Sequence, residues 1–482
     1  MRVTRRGDLE KKSQRPGLIV AAVALLLIAS AIRIWAAQND LWLDEIWSID
    51  LVSQVSSPWQ IFYAIHSDNN HYLNALWIYF CGFRGNWSGY RIPSIVAGIG
   101  SVVVAGLIGL NRSMMNAVVA MFLIGFSYVL ILYSSEARGY SALIFFSFLC
   151  YYFLERYLRE RQWPMAFLFS LSACLGLLAH LEFLTFFFSS FLWAAYRLIK
   201  SAPGWRDIAA ALFFCYTLPA LLFILLYWID VRHMVIAGGD HPGLANCYET
   251  SLAWALGMPS LFPTWVVFGV AMLVFIGSLY RLWSERPDLI VFFASVVAIM
   301  PILLAWAGES EVLYVRYFIV SVAFFALLMS FFLSSLCWSG RGRGKILCGL
   351  LLAGYLMANG WHIVALLKYG RGNNGEALRY VLQNSNEAST TIGGDQDFRI
   401  GVVVDFYNRT EAGHHLLQYA TMEHWPTNGV EWLICEKESY AGLTPPARMF
   451  ADNQGHQYEL VKIFPTGPLS GLHWFIYHRR TD

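Results

Sequence analysis

Long apolar runs recur through the first three quarters of the chain, separated by short polar connections. The runs are 17–36, 91–110, 116–133, 139–154, 163–179, 183–199, 208–229, 263–282, 288–307, 317–336 and 346–367. Each approaches the length a helix needs to cross about 30 Å of hydrocarbon at about 1.5 Å per residue. The pattern predicts an all-α polytopic membrane protein of about eleven transmembrane helices. Only His180, Leu181 and Glu182 separate 163–179 from 183–199, so this pair is a tight hairpin or one broken helix, and the hairpin keeps the topology consistent.

Beyond residue 368 the pattern changes to that of a small α/β domain. GEALRYVLQNS has the spacing of an amphipathic helix, and TTIGG, IGVVVDFY, VEWLIC, YELVKIF and LHWFIYH alternate like strands between turn-rich stretches such as EAGHH and LTPPAR. Three regions are therefore expected: a cytoplasmic tail (1–16), a transmembrane domain (17–368) and a soluble extracytoplasmic domain (369–482). A long first external loop, 37–90, holds two aromatic-rich stretches too short to span, LWLDEIWSIDLV and HYLNALWIYFCGF, which suit helices lying in the interface. On a helix from Asp40 to Leu51, Asp40, Asp44 and Ser48 align on one side and Trp42, Ile46 and Ile49 on the other.

Charge sets the orientation. With the N-terminus cytoplasmic, eighteen Lys and Arg fall in inside segments, whereas the outside loops before residue 368 hold Arg84, Arg91, Arg138, Arg232 and Arg316. The acids Asp40, Asp44, Glu45, Asp50, Asp68, Glu136, Glu182, Asp230, Asp240, Glu249, Glu309 and Glu311 are outside, so any chemistry is expected there. The basic opening MRVTRRGDLEKKSQR precedes an apolar run longer than a typical signal's, which is read as an uncleaved first span in a cell (inner) membrane. At 57% hydrophobic and 14% charged residues the chain lies outside the ordinary soluble class, and its net charge of +2 leaves no basic patch for nucleic acid. The eight cysteines contain no C-x-x-C, and spacing alone does not support a Cys81–Cys247 bridge; they read as small packed hydrophobes. Asn86-Trp87-Ser88 and Asn408-Arg409-Thr410 fit the N-glycosylation triplet, which arises often by chance.

The adjacent carboxylates Asp44 and Glu45, just after the first span, are the leading candidates for chemistry. An ionised pair beside a membrane either faces water at the headgroups, as on a solvated interfacial helix with a cap or salt-bridge role, or works on a substrate. Glu136 and Arg138 form an internal ion pair or contact substrate; Arg316 anchors its span or holds a phosphate. His66 and His71, five residues apart, do not share a helical face, so hydrogen bonding is favoured over metal ligation. His180 and Glu182 rank below these.

LWLDEIWSI, HSDNNHYLNALWIYF, YRIPSIVAGIGSVVVAGLIGL, SSEARGYSALI and VRYFIVSVAFFALL together resemble the GT-C class of membrane glycosyltransferases. Within that class the chain is most similar to the bacterial branch related to protein O-mannosyltransferases and aminoarabinose transferases, over roughly residues 15–370. It departs where that group has His-Pro-Pro and this chain has Asn69-Asn70-His71. The resemblance implies a GT-C-like fold and transfer of a sugar, with inversion, from a polyprenyl-phosphate donor to a hydroxyl of an extracytoplasmic glycan, lipid or protein. It implies Asp44 as general base, Glu45 orienting it or touching the acceptor, and Arg91, Arg138, Arg316, Tyr317, Glu136, His66, Asn70 and His71 as donor-phosphate or substrate contacts. A phosphate leaving group needs no protonating acid and a monophosphate little help from a divalent metal, so no cofactor is expected. Three other readings stay open. A transporter or flippase of lipid-linked saccharide predicts charges near the midplane, a saccharide polymerase or ligase predicts a large late loop, and a receptor predicts no catalytic carboxylate.

Overall fold

The computed structural model describes residues 2–82, 87–201, 204–236, 238, 242–257, 262–308, 312–338, 342–385, 389–410, 416–438, 443–452, 454–469 and 471–480. Arg84, Asn86, Asp240, Glu309, Glu311 and the EAGHH stretch, all named above, lie outside the described residues. In chain order the helices are α1 (Arg2–Ala36), α2 (Leu43–Ser53), α3 (Tyr72–Cys81), α4 (Trp87–Leu110), α5 (Met114–Phe126), α6 (Tyr128–Ser134), α7 (Tyr140–Glu160), α8 (Trp163–Ala179) and α9 (Phe183–Ser201). They continue as α10 (Trp205–Ile229), α11 (Leu244–Ala255), α12 (Thr264–Glu285), α13 (Pro287–Ala294), α14 (Met300–Ala307), α15 (Ile319–Trp338), α16 (Gly342–Tyr369), α17 (Asn374–Gln383) and α18 (Asp397–Thr410). A π turn, Ser295–Ile299, joins α13 to α14 into one apolar run.

Every predicted apolar run is helical, and the chain is a multi-pass membrane protein. Among the described residues eight helices are long and apolar enough to cross, or up to nine if the bent pair α5–α6 is one span. The expected count of about eleven is not reached by length and composition. Helix α8 has only 17 residues, and α9 ends in the polar sequence Tyr-Arg-Leu-Ile-Lys-Ser.

The chain folds as two compact units. The larger comprises Met1–Trp35, Val55–Trp77 and Arg91–Trp361; the second comprises Ala36–Gln54, Ile78–Tyr90 and His362–Asp482. The second unit thus includes two pieces of the first loop as well as the expected C-terminal domain.

In the larger unit the bend between α5 and α6 is 62°. Breaking a helix in a membrane frees backbone groups that lipid cannot satisfy, and buried side chains take them up here. Arg33, 1% exposed on α1, donates to the carbonyls of Ile124 (3.0 Å) and Gly125 (2.9 Å), while the Tyr128 amide donates to Asn359 Oδ1 (2.7 Å). The Tyr355 hydroxyl donates to the Leu123 carbonyl (2.9 Å). The charge within α1 is therefore part of a helix break, which removes it as support for a translocation path. Arg33→Met keeps the length and deletes the donors; it is expected to cost about 1–3 kcal/mol, read as a lower unfolding midpoint in detergent, and an unchanged midpoint would refute the capping role.

The second unit is built on six strands: β1 (Ser389–Gly394), β2 (Leu416–Tyr419), β3 (Trp432–Glu438), β4 (Met449–Ala451), β5 (Gln457–Phe464) and β6 (Leu472–Arg479). Their order is β2-β1-β3-β6-β5-β4, parallel across β2-β1-β3 and antiparallel beyond. Four of the five predicted strands match β1, β3, β5 and β6. The fifth, IGVVVDFY, is instead part of helix α18. Its β-branched valines favour a strand locally, but Ile400, Val403, Val404 and Tyr407 are buried at helical spacing, and tertiary packing overrides propensity.

Helix α2 belongs to this unit and is fastened to it along its length. Gly370 closes α16 at φ +64°, a conformation that favours glycine, and the chain then runs past the start of α2. The Gly375 amide donates to Asp40 (3.0 Å), Asn374 donates to the Leu41 carbonyl (3.3 Å), and the Arg371 guanidinium lies 4.4 Å from the Trp42 ring centroid. Further along, Trp47 meets Phe398 edge-on at 5.7 Å and Arg409 pairs with Asp50 at 2.7 Å. The helix therefore starts at Leu43 rather than Asp40: the Asp40 side chain is spent on the turn, so it does not share a helical face with Asp44 and Ser48.

Candidate functional site

Between α6 and α7 the chain turns through Ser135–Gly139, which carries Glu136 and Arg138, 0% and 3% exposed. This turn is clamped by side chains from motifs far apart in sequence. Asn74 on α3 donates to the Ala137 carbonyl (2.6 Å), and Ser94 on α4 donates to the Arg138 carbonyl (3.0 Å). Ser141 returns a bond to the Ser94 carbonyl (2.7 Å), and the Gly139 amide donates to His71 Nδ1 (2.9 Å). Gly139 is needed for space: a Cβ there would run into the Ala179 carbonyl and stand 3.1 Å from His71 Cβ. The Asn-Asn-His, Arg-Ile-Pro-Ser and Glu-Ala-Arg-Gly-Tyr segments thus form one structure, with Arg91 fully buried on the same helix as Ser94.

His71 lies against His180, ring centroids 4.5 Å apart, and Tyr140 packs on both at 5.4 and 4.5 Å. The His180 Nδ1 accepts the Glu182 amide (3.1 Å). Burial first, then the charges of Arg138, His180 and Arg316, hold the His71 imidazole well below its ordinary value. The same burial, with Arg138 and Arg316, takes His180 down to about 3, and burial pushes Glu182 up to about 8. Both rings are therefore neutral near pH 7 and Glu182 is largely protonated. Arg316 and Tyr317 sit on a short 3-10 turn, Val315–Phe318, where the guanidinium stacks 4.3 Å from the Tyr314 ring and 5.8 Å from that of Tyr317.

Of the expected donor-site residues, Arg138, Arg316, Glu136, Tyr317 and His71 belong to this neighbourhood of the larger unit. His66 and Asn70 are engaged elsewhere. His66 pairs with Asp230 (2.7 Å), which also accepts from the Tyr72 hydroxyl (2.6 Å). Asn70 donates to the carbonyls of Ile61 (2.8 Å) and Ile65 (3.1 Å), holding the preceding turn. The signal that sequence reading undervalued was His180: its hairpin supplies the ring that faces His71.

In the second unit Asp44 and Glu45 occupy the first turn of α2 and are 9% and 0% exposed, so they are not solvated, whereas the cap role of that account is found for Glu45. Their roles separate. Glu45 Oε2 accepts the Trp42 amide (3.2 Å), a capping interaction that stabilises the helix start, and negative charge is favoured at that end. The Ser48 hydroxyl donates to the Asp44 carbonyl (2.8 Å). A cavity of about 550 Å³ opens between α2 and α18, lined by Asp50, Ser53, Gln54, Asp405, Asn408 and Arg409 among others. Asn408, from the second glycosylation triplet, is bonded to the Leu417 backbone in both directions and anchors β2. Asp397 accepts from the Tyr419 hydroxyl (2.9 Å) and Asp395 from the Glu436 amide (3.0 Å), so both serve the domain's own loops.

Among the described residues no three His, Cys, Asp or Glu side chains are grouped to hold a metal ion. No protein-family model matches the chain, and no curated protein matches it. Solved structures do. ArnT from Cupriavidus metallidurans in the apo state matches with a TM-score of 0.50 at 11% identity, covering 96% of this chain and 98% of that one. The same protein bound to undecaprenyl phosphate gives 0.49 at 11% identity, covering 97% and 98%. The archaeal oligosaccharyltransferase AglB from Archaeoglobus fulgidus, in complex with an inhibitory peptide and a dolichol-phosphate, gives 0.47 at 13% identity, covering 86% and 69%. Across nearly its whole length, then, the chain shares its fold with ArnT, in keeping with the fold that its motifs had suggested.

Proposed function

We propose that the chain is an integral membrane glycosyltransferase that moves a sugar from a polyprenyl-phosphate donor to a hydroxyl of an extracytoplasmic glycan, lipid or protein. The observation that carries this reading is the clamped Arg138 turn. A guanidinium carried on a turn whose backbone is held in place, with Arg316 acting on the same two imidazoles, suits a phosphate whose charge grows as its bond to the sugar breaks. The GT-C fold makes a sugar ester of a lipid phosphate the natural substrate class.

The step is a single displacement. The acceptor oxygen attacks the anomeric carbon, its proton passes to the Asp44 carboxylate, and the bond from that carbon to the phosphate oxygen breaks with the electron pair leaving on phosphate. One displacement inverts the anomeric centre. Glu45 positions the base by capping α2. The bias of Lys and Arg toward alternate loops supports a cytoplasmic N-terminus, with the reaction and the second unit on the opposite face of the inner membrane.

The direct test is label transfer by purified protein in lipid, offered a panel of polyprenyl-phosphate sugars and a cell-envelope extract. Movement of label to an acceptor is expected; no consumption of any donor would overturn the reading. Arg138→Ala and Arg316→Ala are each expected to raise the KM for donor about tenfold or more, the scale of one lost charge-assisted bond, and to leave the KM for acceptor nearly unchanged. Equal effects on both substrates would remove the phosphate assignment.

A further inference from the structure

We propose that His71 and His180 act as a pair of uncharged Nε2–H donors to a phosphate group, which makes His180 a further recognition residue of the donor site. The inference rests on the glycosyltransferase reading for the lipid attached to that phosphate.

Hydrogen-bond direction fixes the tautomers. The Gly139 amide points its hydrogen at His71 Nδ1 and the Glu182 amide points its hydrogen at His180 Nδ1, so each neutral ring carries its proton on Nε2. Becoming imidazolium would place a second hydrogen against each amide. In His71 that would break one of the bonds holding the Arg138 turn. His71 Nε2 is buried and makes no hydrogen bond within the described residues. A buried donor without an acceptor is costly, and such an atom marks where an acceptor binds.

The surroundings say which acceptor. Arg138 and Arg316 act on both rings, and Tyr140 packs on both. Among the described residues, other charged or titratable groups nearby include Glu136, Tyr133, Tyr317, Glu182 and Asp68. Glu182 stays largely protonated below about 8. Two guanidinium groups with two N–H donors match the charge and the several acceptor oxygens of a phosphate. Uncharged imidazoles add directed bonds without additional positive charge to retain the leaving group.

The test measures binding of a prenyl monophosphate to the purified full chain in detergent, with the corresponding prenyl alcohol and inorganic phosphate as separate arms. Prenyl phosphate is expected to bind wild type about tenfold or more tightly than His180→Leu, with His180→Gln between them and alcohol binding the same in all three. Wild-type affinity is expected not to weaken as pH rises from about 6 to 7, where the prenyl phosphate completes its second ionisation and both rings are already neutral, and to fall as Glu182 ionises near 8. Nitrogen NMR of the two rings reads the Nε2–H tautomer in wild type without relying on a variant's folding, and both Nε2 signals are expected to move when prenyl phosphate is added.

Equal binding by wild type and His180→Leu, charged rings at pH 7, or a steep loss of affinity as pH rises from 6 to 7 would overturn the inference and leave the transferase reading standing. Binding of inorganic phosphate alone, with no prenyl phosphate bound by wild type, would overturn both.

Discussion

Sugar transfer by Asp44→Asn is expected to fall by about 10²–10⁴-fold, the usual contribution of a positioned general base. Asparagine keeps the size of aspartate and cannot accept the acceptor's proton. The helix is expected to survive the change, because its capping bond belongs to the neighbouring carboxylate: Glu45, not Asp44, accepts the Trp42 amide. Donor binding should also persist, since the phosphate contacts proposed above lie on other residues. The checking measurement is label transfer beside donor binding and the unfolding midpoint, all on one preparation. Full turnover in the variant would remove Asp44 from the mechanism. Loss of transfer accompanied by a collapsed midpoint would assign it a structural role instead.

Gly139→Ala is expected to have the second largest effect, although it adds a single methyl group. The new Cβ would enter the space of the Ala179 carbonyl and crowd His71, neither of which is a flexible side-chain end. Overpacking of this kind costs about 1–3 kcal/mol. The turn relieves it only by moving, and moving disturbs the bonds from Asn74, Ser94 and His71 that fix Arg138. Donor affinity is therefore expected to drop more than it does for Ser94→Ala, which removes one bond worth about 0.5–1.5 kcal/mol. If Gly139→Ala binds donor and unfolds like wild type, the clamp does not control Arg138.

The spans were legible because a run of apolar residues states its own solution: lipid leaves helix as the only satisfied form. Their number was less so, since α8 and α9 are short or polar at their ends and length alone cannot decide them. The Asp44–Glu45 pair was visible as a cost, two carboxylates beside a membrane, but not its division of labour. That division depends on a backbone amide one turn away. The same limit hid the clamp. Asn74, Ser94 and His71 bond backbone atoms of a distant turn, and a carbonyl or amide leaves no trace in side-chain patterns. His180 was discounted because its significance lies in a neighbour on another hairpin. In the second unit IGVVVDFY shows the opposite failure: three valines state a local preference that burial at helical spacing overrules.

The fastening of α2 has a consequence for biosynthesis. The groups that hold residues 40–53, Arg371, Asn374, Gly375, Phe398 and Arg409, are made more than three hundred residues after them. Through synthesis of all the spans, the segment bearing Asp44 waits without its native supports. A nascent or truncated chain that lacks Arg371 to Arg409 lacks every one of these supports for the proposed base, so the segment around Asp44 is completed only when they are made.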